Sequence, residues 1–141
     1  MTPLYAEIHR WAALPFEWGH ADCMTVLCDW IHRVRGVDPA RDVRGTYYDL
    51  LSCERATGYI RQPVETAARH FEGIAGLERT GAPVRGDVGV LLLAGQGSAR
   101  ACGGLSLGET WCMKTEGEAG TTTMVPSQIL AAWSVGYVDP A

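Results

Sequence analysis

The sequence predicts an α+β fold, with helices from the N-terminal half packed on an antiparallel sheet from the C-terminal half. Three observations carry this. Apolar residues recur at helical spacing up to about residue 80. Beyond that point, short apolar or β-branched runs alternate with glycine-bearing breaks. Helices followed by a run of strands is the order expected when helices gather on one side of a sheet. At 141 residues the chain suits one domain, 1–141, with a helical half of about 1–80 and a sheet half of about 81–141.

Each element has its own signal. Leu4, Ile8, Trp11 and Ala12 mark a first helix, which Pro15 stops. Cys23, Val26, Leu27, Trp30, Ile31 and Val34 mark a second, closed by Gly36. Tyr47, Leu50 and Leu51 suggest a short third. Val64, Ala67, Ala68, Phe71 and Ile74 form a fourth, with Pro63 in the first turn, where its missing amide removes no helical bond. Residues 81–86 divide the halves. Residues 87–93 read as a strand, and 101–107 and 110–115 as a pair joined tightly at Gly108-Glu109. Residues 121–125 are β-branched. Pro126 is expected to open a short helix through residue 132, and 133–138 to form a last strand, giving a sheet of about five strands.

Composition narrows the function classes. Hydrophobic residues are 47% and charged residues 20%, which excludes a disordered tail. The net charge of −4 lacks the basic footprint that nucleic-acid binding needs. Glu7, His9 and Arg10 interrupt the apolar residues near the N-terminus, so no signal-peptide core is expected. The longest apolar stretch, 88–94, falls far short of the ~20 residues of a membrane helix. Synthesis in a reducing cytoplasm is expected. Five cysteines are an odd number, and few for a disulfide scaffold of this length.

The chemistry concentrates in Phe16-Glu17-Trp18-Gly19-His20-Ala21-Asp22-Cys23. Asp22 is a good N-cap, because its carboxylate can accept first-turn amides. Cys23 then falls in the first turn of the second helix, where the helix dipole is expected to lower its thiol pKa and make it nucleophilic. Rotation of about 100° per residue puts Cys23 on the side of Val26, Leu27, Trp30 and Ile31, facing the rest of the protein. His20, Cys23, Cys28 and His32 are zinc-ligand types. Cys28 lies ~140° from Cys23 around the helix, so no metal site and no cofactor are expected.

Phe16, Trp18, Gly19, Asp22 and Cys23 resemble the motif of the NlpC-type (p60-like) branch of the papain-like cysteine peptidases, in which an aromatic-x-Trp-Gly segment leads into Asp-Cys. Arg85-Gly86-Asp87-Val88 resembles that family's Gly-Asp-Val strand entry, and Gly104-Leu105-Ser106-Leu107-Gly108 its Gly-Ile-Tyr-Leu-Gly strand. Arg44-Gly45-Thr46-Tyr47 and the segment 130–135 are similar to a small uncharacterised family of phages and proteobacteria encoded among tail genes. The resemblance spans roughly residues 5–138. It implies a papain-like fold with Cys23 at the nucleophile position, and Arg44 is expected to fix the loop beside the nucleophile helix.

The pattern breaks at the base. Active relatives carry a His two residues ahead of the first Gly of the Gly-Ile-Tyr-Leu-Gly strand; here that position is Cys102, and no His follows His70. Three readings follow. Catalysis is lost and the fold serves structure or binding. Alternatively His20 or His70 substitutes as base. Or Cys102 faces Cys23, because alternation places Cys102, Gly104 and Ser106 on one strand face, expected to meet Cys23. The resemblance implies a virion component at the phage tail tip or hub, made in the host cytoplasm. Its partners would be other tail proteins and, through the old cleft, peptidoglycan. The alternatives are an active endopeptidase cleaving peptidoglycan stem peptides and a thiol redox module using Cys23 and Cys102.

Overall fold

The structure, a computed structural model, describes residues 1–93, 101–116 and 120–140. Four helices precede six strands: α1 (Pro3–Ala13), α2 (Thr25–Arg35), α3 (Leu50–Thr57), α4 (Pro63–Phe71), then β1 (Glu78–Arg79), β2 (Val88–Leu92), β3 (Cys102–Ser106), β4 (Trp111–Lys114), β5 (Thr121–Met124) and β6 (Gln128–Ser134). The strands form one sheet in the order β1-β6-β2-β3-β4-β5, and every pairing is antiparallel. The α+β expectation therefore holds.

Local chemistry sets most helix ends. The Thr2 hydroxyl accepts the Tyr5 amide at 3.3 Å, opening α1, and Leu14 is already extended ahead of Pro15. Gly36, at φ 79°, closes α2 by donating to His32 O. A reciprocal Asp49–Ser52 capping box starts α3, so Tyr47 precedes the helix it was expected to join. The fourth helix ends at Phe71, and Ile74 lies in the turns beyond it.

Three sheet expectations need correction. Residues 126–132 form no helix; β6 occupies 128–134 and pairs with both β1 and β2. Ile129-Leu130-Ala131-Ala132 has helix-forming composition, but pairing along the central strand β2 overrides that weak preference. The expected last strand, 133–138, contributes only its first two residues to β6. The two-residue β1 escaped notice because Glu78-Arg79 carries no periodic pattern, so the sheet has six strands rather than about five.

The main core lies between the helices and one sheet face, and includes Leu4, Trp11, Val26, Leu27, Trp30, Phe71, Val88, Val90, Leu105 and Trp133. Leu91, Trp111, Met113 and Ala132 form a second cluster on the other face. The buried Lys114 donates from Nζ to the carbonyls of Trp11 and Leu14, satisfying the C-terminal end of α1. Among the described residues no helix is long and apolar enough to cross a membrane.

A candidate dithiol cleft at the start of the second helix

A tight loop delivers the chain into α2. Glu17 and Ala21 exchange backbone hydrogen bonds at 3.2 and 2.8 Å, with Trp18-Gly19-His20 as the tip. Gly19 has φ 82°, and a Cβ there would lie 2.5 Å from Tyr47 O, so no side chain fits. Phe16 and Trp18 pack edge to face at 5.3 Å on the cavity wall.

Asp22, 3% exposed, ties this loop to the helix. Its Oδ1 accepts the amides of Met24 and Thr25 at 3.0 and 2.8 Å; its Oδ2 accepts the Gly19 amide at 2.9 Å and the Tyr47 hydroxyl at 2.6 Å. The Thr25 hydroxyl accepts the Asp22 amide in return, at 2.8 Å. Asp22 thus takes amides at the helix entrance, but the N-cap position is Met24 rather than the expected Asp22. Regular helix begins at Thr25, and Cys23 sits in the turn just before it. Burial and the adjacent carboxylate push the Tyr47 phenol far above its ordinary range.

The half-buried Cys23 faces the first residue of β3. The neighbouring Cys102 thiol, burial and the Asp22 charge together hold the Cys23 pKa well above the ordinary thiol value, and the Cys102 thiol itself donates to Gly103 O at 3.5 Å. The Gly103 amide pulls weakly the other way. This corrects the expectation of a lowered pKa. The amides of Met24 and Thr25, which would have stabilised a thiolate, are given to Asp22, whose negative charge opposes one.

Strand β3 approaches α2 through Gly103. A Cβ on Gly103 would lie 2.4 Å from Met24 Sδ, 2.7 Å from Cys23 O and 2.9 Å from Leu27 Cδ1. Gly103 and Leu105 therefore face the helices. Gly104 faces the other way, toward Leu91 Cδ1 at 2.5 Å and Met113. Cys102 and Gly104 share a face as alternation predicts, but that face is turned away from the helices, against expectation. Cys102 nevertheless meets Cys23. It stands at the strand's first position, touching the second cluster while lining the cavity that holds Cys23.

That cavity, about 330 Å³, is walled by Phe16, Trp18, Tyr47, Tyr59, Ile60 and Phe71, among others. Four of the five cysteines (Cys23, Cys28, Cys53 and Cys102) line it. Tyr59 donates from its hydroxyl to Ala101 O at 2.9 Å, anchoring the residue before Cys102. Cys28 is buried, and burial raises its thiol pKa. All five cysteines are thiols, with none in a disulfide. Among the described residues no group of three or more His, Cys, Asp or Glu could hold a metal ion.

Neither histidine is a partner of Cys23. His20 is exposed, lies 3.9 Å from Glu17 and packs near Gly45. His70 reaches the cavity wall, but burial lowers its pKa and its Nδ1 is 3.0 Å from Pro39 O. A carbonyl only accepts, so Nδ1 carries the proton there. The groups that bear most on the Cys23 thiol are Cys102, Asp22 and Gly103.

The segment Arg44-Gly45-Thr46-Tyr47 acquires a physical reason. Arg44 grips Asp38 through Nε and Nη2 at 2.7 and 3.0 Å and reaches Asp29 of α2 at 2.8 Å. Gly45, at φ 73°, donates to Gly19 O at 3.1 Å. Tyr47 then arrives at Asp22. Arg44 thus fixes the loop beside the helix, as expected.

Asp87 lies away from the cleft. It enters β2 and accepts the Val84 and Val135 amides at 2.9 and 3.0 Å, while Cys102 pairs near the far end of that strand, opposite Leu91. Sequence reasoning missed Gly103, Cys53 and Tyr59. A glycine inside a strand is a signal for close backbone approach and could have marked Gly103. The other two carried no local signal.

A family model described as a domain of unknown function (DUF6950) matches residues 2–135. No curated protein and no solved structure matches the chain.

Proposed function

The chain belongs to the DUF6950 family, and we propose that it is a structural component of a bacteriophage tail tip or hub. In this reading it is built on an NlpC-type, papain-like scaffold whose hydrolytic chemistry is lost. One observation carries the loss of catalysis: the cavity that holds Cys23 presents the Cys102 thiol where a peptidase has its His, and the Cys23 pKa is raised. A cysteine peptidase needs a base within hydrogen-bond reach of a thiol that ionises readily. Here the neighbouring side chain is a second thiol rather than an imidazole, and the thiolate is disfavoured.

The tail assignment rests on the sequence resemblance, from the aromatic-x-Trp-Gly approach to Asp22-Cys23 through Arg44-Gly45-Thr46-Tyr47 to residues 130–135. Other tail proteins are then its partners, with peptidoglycan a contact of the old cleft. Two measurements test the reading. Purified protein incubated with purified peptidoglycan releases no stem-peptide fragments by mass spectrometry. Purified tails contain the protein at fixed copy number. Fragment release that disappears in Cys23→Ala would instead establish an active endopeptidase. A pool never found in particles would remove the tail role.

A further inference from the structure

We propose that Cys23 and Cys102 are a redox pair that closes into a reversible intramolecular disulfide bridging the start of α2 and the start of β3. The inference rests on the placement of two thiols and stands whether or not the protein belongs to a tail.

Four observations carry it. Both thiols line one cavity. They are the two half-buried cysteines, while Cys28, Cys53 and Cys112 are buried. Gly103 lets the strand backbone come against the Cys23 carbonyl, where any Cβ would lie 2.7 Å from that oxygen. The two ends are held on both sides: Cys23 by the four hydrogen bonds to Asp22, Cys102 by the Tyr59 hydroxyl on Ala101 O. The backbone beside Cys102 is thus held against that of Cys23, the close approach that a disulfide demands.

The oxidant is a low-molecular-weight disulfide. One cysteine thiolate attacks a sulfur of that disulfide, forming a mixed disulfide and releasing one small thiolate. The second cysteine, once deprotonated, attacks the protein sulfur of the mixed disulfide and releases the other small thiolate. The protein loses two protons and two electrons, and the small disulfide takes them up to become two thiols. Attack requires a thiolate. The raised Cys23 pKa therefore makes closure slow at neutral pH and faster as pH rises. Such a pair stays open in a reducing cytoplasm and closed in oxidising surroundings.

The test uses the full chain, fully reduced and then incubated with glutathione disulfide. Mass spectrometry of the oxidised protein should show it two hydrogens lighter, and a peptide map should join Cys23 to Cys102. The thiol count in denaturant should fall from the five of the sequence by two. Closing a loop of about 80 residues should raise Tm by roughly 10 °C or more. Cys23→Ser and Cys102→Ser should each abolish the bond and leave a glutathione adduct on the remaining cysteine, whereas Cys112→Ser should leave closure unchanged. Retention of all five thiols, or a map joining any other pair, overturns the proposal. If the serine variants fail to fold, the map of the unaltered protein decides alone.

Discussion

Removing the Asp22 carboxylate should cost more than any other single change near the cleft. The carboxylate is 3% exposed and accepts four hydrogen bonds, from the amides of Gly19, Met24 and Thr25 and the hydroxyl of Tyr47. A buried donor left without an acceptor costs about 1–3 kcal/mol. Asp22→Ala leaves four, so even with partial relaxation the loss should reach about 4 kcal/mol, a large part of the 5–15 kcal/mol typical of a whole domain. Asp22→Asn separates the two halves of the knot. Its oxygen can still serve Met24 and Thr25, but its amino group then meets the Gly19 amide, donor against donor. The Tyr47 hydroxyl can turn and accept, so a loss of about 2 kcal/mol is expected. Tyr47→Phe should cost about 1.5 kcal/mol, as one charge-assisted bond is lost. The two residues share that bond, so the double variant Asp22→Asn/Tyr47→Phe should be less destabilised than the sum, by about 1 kcal/mol. Urea unfolding followed by tryptophan fluorescence and far-ultraviolet circular dichroism measures all four forms. Strict additivity, or an Asp22→Asn loss below about 0.5 kcal/mol, a value usual for surface sites, would show that Asp22 does not hold loop, helix and Tyr47 together.

Three further outcomes are expected. Gly103→Ala should destabilise by about 2 kcal/mol, since its Cβ meets the backbone oxygen of Cys23, whereas Gly104→Ala should cost less because its nearest obstacle is the Leu91 methyl; thermal unfolding of both variants gives the order, and its reversal would refute the close-approach argument. Burial works against ionisation of Asp38, yet its hydrogen bonds from Arg44 and the Ala40 amide hold its pKa below the ordinary carboxylate value. Its contribution, about 1 kcal/mol for a partly exposed pair, is therefore present above that ordinary value and lost as pH falls through the depressed one. Asp38→Asn should accordingly trail the unaltered protein at neutral pH and converge with it in acid, measured by urea titrations at a series of pH values. Alkylation of Cys23 by iodoacetamide should be slow at neutral pH and still rising above the ordinary thiol pKa, because its pKa is raised; a rate that levels off near pH 7 by peptide mapping would contradict this.

Much of the fold was legible because its signals are local. Pro15, Gly36 and Pro63 mark helix limits through their own backbone chemistry. Asp22 was recognisable as an acceptor at the helix entrance because it serves amides two and three residues on. Strands β2 to β5 fell within their expected spans, since short apolar or β-branched runs between glycines leave few alternatives. The segment 128–134 misled for the opposite reason. Its alanines and leucine suit a helix, and only pairing with a distant strand makes it β6.

The candidate site divides along the same line. Residues 16–23 and 44–47 singled themselves out by composition and spacing, and Cys23 with Asp22 was identified from sequence alone. What Cys23 can do was decided by tertiary structure. Its ionisation depends on Cys102 and Gly103, about 80 residues away along the chain, and on how Asp22 is shared with Gly19 and Tyr47. A helix start predicts a stabilised thiolate; a buried carboxylate that takes the same amides, and a neighbouring second thiol, reverse the prediction. Capping and turn chemistry act between near neighbours, so sequence specifies them. A pKa sums charge, burial and hydrogen bonds over everything within a few ångströms, and only the folded chain determines which groups those are.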